Sequence, residues 1–254
     1  MIETVKVKQV VIGEGIPKIC VPIVACEEGN ILAEAEKAEK SRADLVEWRA
    51  DFWEFCKNPE KLEQILKKLQ EILKTKPLLF TIRTKDEGGE FVGTVDEYKK
   101  QVGVASGIAD LADIEVFMEG LSVDSLIEEC HKNSCKVVAS NHEFYKTPEQ
   151  EEIVRRLCHM QKIGADILKI AVMPENKKDV LTLLSATEEM VRKHAKKPVV
   201  TMSMAGLGAI SRVSGEIFGS AITFGSMERA SAPGQLALAD LKNVLEIIHN
   251  SKEN

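Results

Sequence analysis

Eight short apolar runs, each followed by a charged stretch with apolar residues at helical spacing, constrain this chain more than any other feature. The runs are "KICVPIVA" from residue 18, "ADLVEWRAD" from 43, "KPLLFTIRT" from 76, "ADIEVFM" from 112, "CKVVASNHEF" from 135, "ADILKIAVMP" from 165, "KPVVTMSMA" from 197 and "SAITFGS" from 220. Their length and β-rich content are those of buried strands. Between them, Leu62, Ile65, Leu66, Leu69 and Leu73, or Ile153, Val154, Leu157 and Met160, recur at the three- and four-residue spacing that gives a helix one apolar face. Strict alternation of this kind means parallel strands joined by right-handed crossovers. Eight such units in 254 residues fit an α/β fold of the (β/α)8 TIM barrel kind better than an open sheet. Upstream, "VKVKQVVIGEG" alternates and then turns on Gly13 and Gly15, which predicts an extra N-terminal β-hairpin covering one end of the barrel. The expected organisation is a single domain over 1–254, with the hairpin in 1–17 and the barrel in 18–250.

Composition narrows the partners. With 44% hydrophobic and 29% charged residues the chain can bury a full core, and its formal charge of −6 provides no basic field for nucleic acid or an anionic membrane. No apolar run is long enough to span a bilayer, and "MIETVKVKQV" lacks the features of a signal peptide, so a cytoplasmic location is expected. The six cysteines, at 20, 26, 56, 130, 135 and 158, show no C-x-x-C pairing and are read as reduced, with no metal site. A small molecule is the expected partner.

Side chains alternate along a strand, so in "LVEWRAD" Leu45, Glu47 and Arg49 share one face while Val46 and Trp48 share the other. The same parity puts Arg83 near the end of the third strand, His142 near the end of the fifth, Lys169 in the second half of the sixth, and Met202 with Met204 in the seventh. In a barrel those C-terminal ends form the face where active sites are built. The loops add Glu87 from "KDEGGE", Arg212 from "GLGAISR", and Ser231 with Gln235 from "SAPGQ". Each has a bland reading: a structural ion pair for Lys169 or for Glu47 with Arg49, a hydrogen-bonded core imidazole for His142, plain packing for the Met pair. Structural pairs alone would not gather at one end.

"ILKIAV" places an ammonium in an apolar strand, where it must be paired, partly solvated or neutral. A neutral amine attacks a ketone to form a protonated imine, and the imine then serves as an electron sink for removal of an adjacent proton by a base such as His142. Three arginines in one pocket suit an anionic, oxygen-rich substrate. The chemistry read from the residues is Schiff-base chemistry on a hydroxylated keto acid.

The strings "VEWRAD", "TIRTKDEGG", "SNHEF", "ILKIAVMP", "TMSMAGLGAISRVSGEIFGSAITF" and "SAPGQ" resemble, in the same order, the signature segments of the type I 3-dehydroquinate dehydratase family. The resemblance spans roughly residues 18 to 245. It implies a homodimeric barrel hydro-lyase of the shikimate pathway. Such an enzyme converts 3-dehydroquinate to 3-dehydroshikimate by syn elimination of water, through a lysine imine and without cofactor or metal. Carried over by motif, it implies Lys169 as the imine-forming residue, His142 as the proton carrier and Glu87 as its support. It further implies Glu47, Trp48, Arg49 and Arg83 on the substrate ring, and Arg212, Ser231 and Gln235 on its carboxylate. Met202, Met204, Phe224 and Ala232 are candidate pocket walls. Two positions depart from the pattern: Ala205 stands where Gly is common, and Pro22 where some members present a hydroxyl.

Two other readings stay open on sequence. A class I aldolase would share the barrel and the imine but would bind a phosphate, for which "GLGAIS" could serve. A catalytically silent metabolite-binding barrel would keep the pocket alone. The segment 225–236, with Gly225, Gly234 and small residues between, has the composition of a movable lid, with Pro233 in the first turn of a helix beginning near Gln235.

Overall fold

The structure is a computed structural model that describes residues 2–227 and 231–252. Every predicted run is a strand. β1 and β2 are Val5–Val7 and Val10–Ile12; the runs themselves form β3 (Lys18–Ile23), β4 (Leu45–Arg49), β5 (Leu78–Thr81), β6 (Leu111–Glu115), β7 (Lys136–Glu143), β8 (Ile167–Val172), β9 (Val199–Ser203) and β10 (Ile222–Ser226). β3 to β9 lie side by side in sequence order, each parallel to the next, and β10 pairs in parallel with β3. β9 and β10 meet through a parallel bridge at Val199 and Ser220, where the Ala221 amide donates to the Val199 carbonyl at 2.7 Å. The architecture is TIM-barrel-like. A short β11 (Leu236–Ala237) adds to the edge of β10.

The helices form where the apolar spacing predicts them. α2 (Pro59–Ile72) starts with Asn58 accepting from the Lys61 amide at 3.0 Å and Pro59 in the first turn, and it buries Leu62, Ile65, Leu66 and Leu69. α5 (Gln150–Lys162) buries Ile153, Val154, Leu157 and Met160. These faces pack on the outward side chains of the strands, such as Leu168, Ile170 and Val172 of β8.

The inward side chains change character along the strands. Nearest the N-terminal ends they are apolar: Cys20, Leu45, Leu79, Leu111, Val138, Ile167, Val200 and Ile222 share one buried cluster. Two residues further on stand Glu47, Thr81, Asp113, Ser140 and Lys169, all buried. Burying charge in this way is tolerable only where opposite charges meet. The apolar floor is sealed by the hairpin, whose Val5, Val7 and Ile12 belong to the same cluster. The chain reverses at Lys8 (φ 50°), not at the glycines the sequence suggests. The Lys8 ammonium holds that turn against the barrel through the Leu73 carbonyl at 2.6 Å, the Lys76 carbonyl at 2.9 Å and Asp110 at 3.1 Å. Gly13 (φ 101°) instead redirects the chain towards β3, where a Cβ would stand 3.0 Å from Pro198.

Candidate active site

At the C-terminal strand ends a pocket is walled by Glu47, Arg49, Arg83, Glu87, His142 and Lys169. Met202, Met204 and Phe224 supply its apolar side, and Ser231, Ala232 and Gln235 approach from the segment after β10. Sequence parity alone brings most of these together, because each strand delivers its inward residue to the same end.

Lys169 is 4% exposed and paired. Its Nζ donates to Asp113 Oδ2 at 3.0 Å, lies 3.8 Å from Glu47 Oε1 and sits 4.8 Å from the Phe224 ring centre. Asp113 also accepts from Arg83 Nη2 at 2.7 Å and from Ser140 Oγ at 2.5 Å. Burial pushes the Asp113 carboxyl up, but Arg83 and Lys169 outweigh it and hold the group down at about 2. Asp113 is therefore a fixed anion.

His142 and Glu87 form a dyad, with Nδ1 2.8 Å from Glu87 Oε2. The His142 amide donates to the same oxygen at 3.0 Å, and Asn141 Nδ2 donates to Oε1 at 3.0 Å. Burial pushes the imidazole well below its usual value, helped by Arg83, Lys169 and Arg49. Burial and Glu115 push Glu87 up to about 8, against Arg83 and Asn141. At 2.8 Å the two groups share one hydrogen bond. When that bond holds a single proton, the donors around Glu87 favour its carboxylate, so the proton stays on Nδ1 and the Nε2 lone pair is free.

The arginines divide. Arg49 is bound to Asp51 through two nitrogens at 2.8 and 2.7 Å, and Glu47 faces Lys169, so the two do not form one internal pair. Arg83 commits Nη1 to Glu115 and Ser140 and Nη2 to Asp113, contributing a fixed positive charge to the wall. Arg212, 1% exposed, has no carboxylate among the described residues: Nη2 donates to the Pro233 carbonyl at 3.0 Å, while Nε and Nη1 are buried without a partner there. Burial pushes it down to about 10. A buried guanidinium with two vacant donors is costly unless an anion arrives. It lies beside the wall, joined to it through Pro233.

Ser231 and Gln235 satisfy each other, Ser231 N donating to Gln235 Oε1 and Gln235 Nε2 to Ser231 Oγ, both at 2.9 Å. The segment is tied down by Arg212 and by the Ala205 amide, which donates to the Pro233 carbonyl at 3.1 Å. Of the stretch expected to be a lid, residues 228–230, Ala230 among them, lie outside the described residues. The following helix, α9 (Leu238–Ser251), begins three residues after Gln235, so Pro233 does not open it; β11 intervenes.

One expectation about the pocket wall needs correction. Trp48 does not reach the pocket: it is fully buried on the outward face of β4, with ring centres 5.9 Å from Trp53 and 6.0 Å from Phe80. Its neighbours Glu47 and Arg49 take the inward positions, and a strand cannot turn three consecutive side chains the same way. Pro22 is buried beside Glu47 in register and is not part of the pocket wall. Ala205 is explained by backbone: at φ 55° and ψ 179° it occupies a region natural to glycine. Asp113, Glu115 and Ser140 went unnoticed in the sequence, although "ADIEV" carries the same inward alternation as "LVEWR".

The fold and site define a TIM-barrel-like enzyme whose polar centre sits at the C-terminal strand ends around a buried lysine. The family model for type I 3-dehydroquinase matches residues 19–252. A 3-dehydroquinate dehydratase from Clostridioides difficile is 48% identical over 97% of this chain and 98% of its own. The crystal structure of a type I 3-dehydroquinate dehydratase from Clostridium difficile with covalently modified comenic acid superposes with a TM-score of 0.96, at 47% identity over 99% of this chain and all of that one. The 3-dehydroquinate dehydratase of Enterococcus faecalis gives 0.90 at 48% identity, covering 96% and 98%. This chain belongs to the type I 3-dehydroquinase family. Among the described residues no helix is long and apolar enough to cross a membrane.

Proposed function

We propose that this chain dehydrates 3-dehydroquinate to 3-dehydroshikimate through an imine on Lys169, without a cofactor, as a shikimate-pathway enzyme. The observation that carries the reading is the buried Lys169 amine facing the pocket between Asp113 and Glu47, with a histidine–glutamate dyad in the same wall. The Lys169 ammonium gives up one proton to the pocket wall as its amine adds to the C3 carbonyl, and that proton returns to the carbinolamine hydroxyl, which leaves as water, so that a protonated imine remains. That iminium carries the charge the ammonium carried, so the anions that held the one hold the other. His142 Nε2 takes a proton from C2, and the electron pair moves to the imine nitrogen as an enamine. The enamine then expels the C1 hydroxyl, which takes the proton back from the same imidazole and leaves as water; one group serving both steps makes the elimination syn. Hydrolysis of the product imine frees Lys169.

The substrate carboxylate is assigned to the vacant Nε and Nη1 of Arg212, with Ser231 and Gln235 beside it, and the ring hydroxyls to Glu47, Arg49 and Arg83. A homodimer, a cytoplasmic location and a single domain over 1–254 belong to the same proposal, to be read by light scattering, fractionation and a single cooperative unfolding transition. The decisive experiment adds 3-dehydroquinate and follows the ultraviolet absorbance of the conjugated enone, then repeats it with borohydride. Turnover, with irreversible inactivation and added mass on the Lys169 peptide, is expected. Absence of the enone, or label on another lysine, sinks the reading. Lys169→Ala should be inactive, and Lys169→Arg should not restore activity because a guanidinium stays charged.

A further inference from the structure

Arg156 projects from α5, outside the pocket, and is joined to it by two hydrogen bonds in series. Its Nη1 donates to Asn141 Oδ1 at 2.7 Å, and Asn141 Nδ2 donates to Glu87 Oε1 at 3.0 Å. The other Glu87 oxygen meets His142 Nδ1 at 2.8 Å. The two ends of an asparagine amide are nearly the same shape, so its environment decides which end points where. Arginine has donors only, so Arg156 can be met only by the amide oxygen, and the NH2 is left facing Glu87. With the amide reversed, a carbonyl would face the carboxylate and one donor would be lost. Arg156 is itself held in place, with Nε 2.7 Å from Glu152 Oε1, Nη2 3.7 Å from Glu143 Oε2 and its guanidinium 5.8 Å from the Phe117 ring centre.

We propose that Arg156 is a positioning residue for the dyad: acting through the Asn141 amide, it aims a donor at Glu87 and so favours the carboxylate that leaves His142 Nε2 free as the base. The inference rests on the dehydratase reading for the role of that base. The other charged groups facing the dyad are Arg49 of β4, Arg83 beyond β5, Asp113 and Glu115 of β6, and Lys169 of β8; Lys85 and Asp86 flank Glu87 on its own turn and are exposed. Among the described residues none of these groups is hydrogen-bonded to the Asn141 side-chain amide, whose partners are Glu87 and Arg156.

The test is the titration of the His142 ring nitrogens by NMR in the free, full-length protein, which requires no turnover. In Arg156→Ala the midpoint of the dyad should rise by roughly one pH unit, the size of one weakened charge-assisted hydrogen bond. Asn141→Ala should raise it in the same direction, and the double variant should move it no further than Asn141→Ala, because Arg156 acts through that amide. Arg156→Lys should recover part of the shift, since an ammonium also has donors only. The acid limb of kcat/KM for 3-dehydroquinate should move to higher pH with the midpoint, its plateau within twofold of the parent. An unmoved midpoint in Arg156→Ala, or additive shifts in the double variant, overturns the proposal; Arg156→Met, which likewise has no donor, provides the same comparison should the alanine variant not fold. A parent protein that titrates as described but does not convert 3-dehydroquinate refutes the dehydratase reading instead.

Discussion

Arg212→Met should stabilise the free protein and weaken the hold on the carboxylate at the same time. Burial lowers the Arg212 guanidinium from 12.5 to about 10, with no anion among the described residues to offset it. The difference, 12.5 − 10 = 2.5 units, corresponds to roughly 3 kcal/mol of lost solvation. Against this, the variant gives up the bond from Nη2 to the Pro233 carbonyl, about 1 kcal/mol. Methionine fills comparable space with a flexible apolar chain. The net expectation is a gain of about 2 kcal/mol, read by denaturant unfolding without ligand. Binding should change in the opposite direction: two charge-assisted hydrogen bonds from Nε and Nη1 to a carboxylate are together worth about 3 kcal/mol or more, over a hundredfold in Kd. Calorimetric titration with the product 3-dehydroshikimate would measure it. A variant that is less stable by about 1 kcal/mol or more and binds normally would show that Arg212 is a structural cation, and the reasoning from its vacant donors would fall.

Further expectations follow from the dyad and the backbone. His142→Ala should still form the imine but stall before elimination, so that mass spectrometry shows a persistent adduct while the rate falls about 10²- to 10⁴-fold; near-normal turnover would refute the role. Glu87, raised from 4.5 to about 8, binds its proton more tightly folded than unfolded, so its contribution to stability is fully present below pH 4.5 and is lost as pH rises through 8. Glu87→Gln should therefore gain on the parent progressively across that window, by several kcal/mol at most, and a pH-independent difference in unfolding free energy would contradict it. Ala205→Gly should stabilise by about 1 kcal/mol, because the glycine-like angles of Ala205 are relieved; a loss of stability would mean that the methyl group packs to advantage.

The fold was legible because two periods alternate cleanly along the chain. A two-residue period places Glu47 and Arg49 inward and Trp48 outward, and naming Trp48 as a substrate contact went against that parity. Local turn chemistry was less legible: Gly13 and Gly15 look like the hairpin turn, but a lysine at φ 50° makes it, held by contacts with residues 73 to 110 that no local pattern reveals. The candidate site was legible as a set of residues but not as a set of pairs. Arg49 takes Asp51 two residues on, but that Arg83 takes Asp113 and Glu115 and Lys169 shares Asp113 depends on distances between strands, and among the described residues Arg212 is left without a carboxylate. Arg156 was invisible for the same reason, lying on a helix face that reads as solvated.

Those pairings account for how a protein can keep so many ions in a barrel core. Arg49, Arg83 and Lys169 are each matched by carboxylates, from the turn after β4 for Arg49 and from β6 for the other two, so the desolvation cost of each is offset before any ligand arrives. Among the described residues of the site two depart from that balance: Arg212, charged and without a carboxylate, and Glu87, whose carboxyl is pushed towards neutrality. The first is a vacancy for one negative charge. The second gives the dyad a proton inventory that changes near neutral pH. In the proposed reaction a substrate bearing one carboxylate and one ketone would meet the first, its anion relieving Arg212, while its ketone would consume the lysine amine and preserve the positive charge opposite Asp113. The cost that Arg212 imposes on the free protein is therefore one that a bound keto acid would remove, and for that reason activity and stability should separate at Arg212.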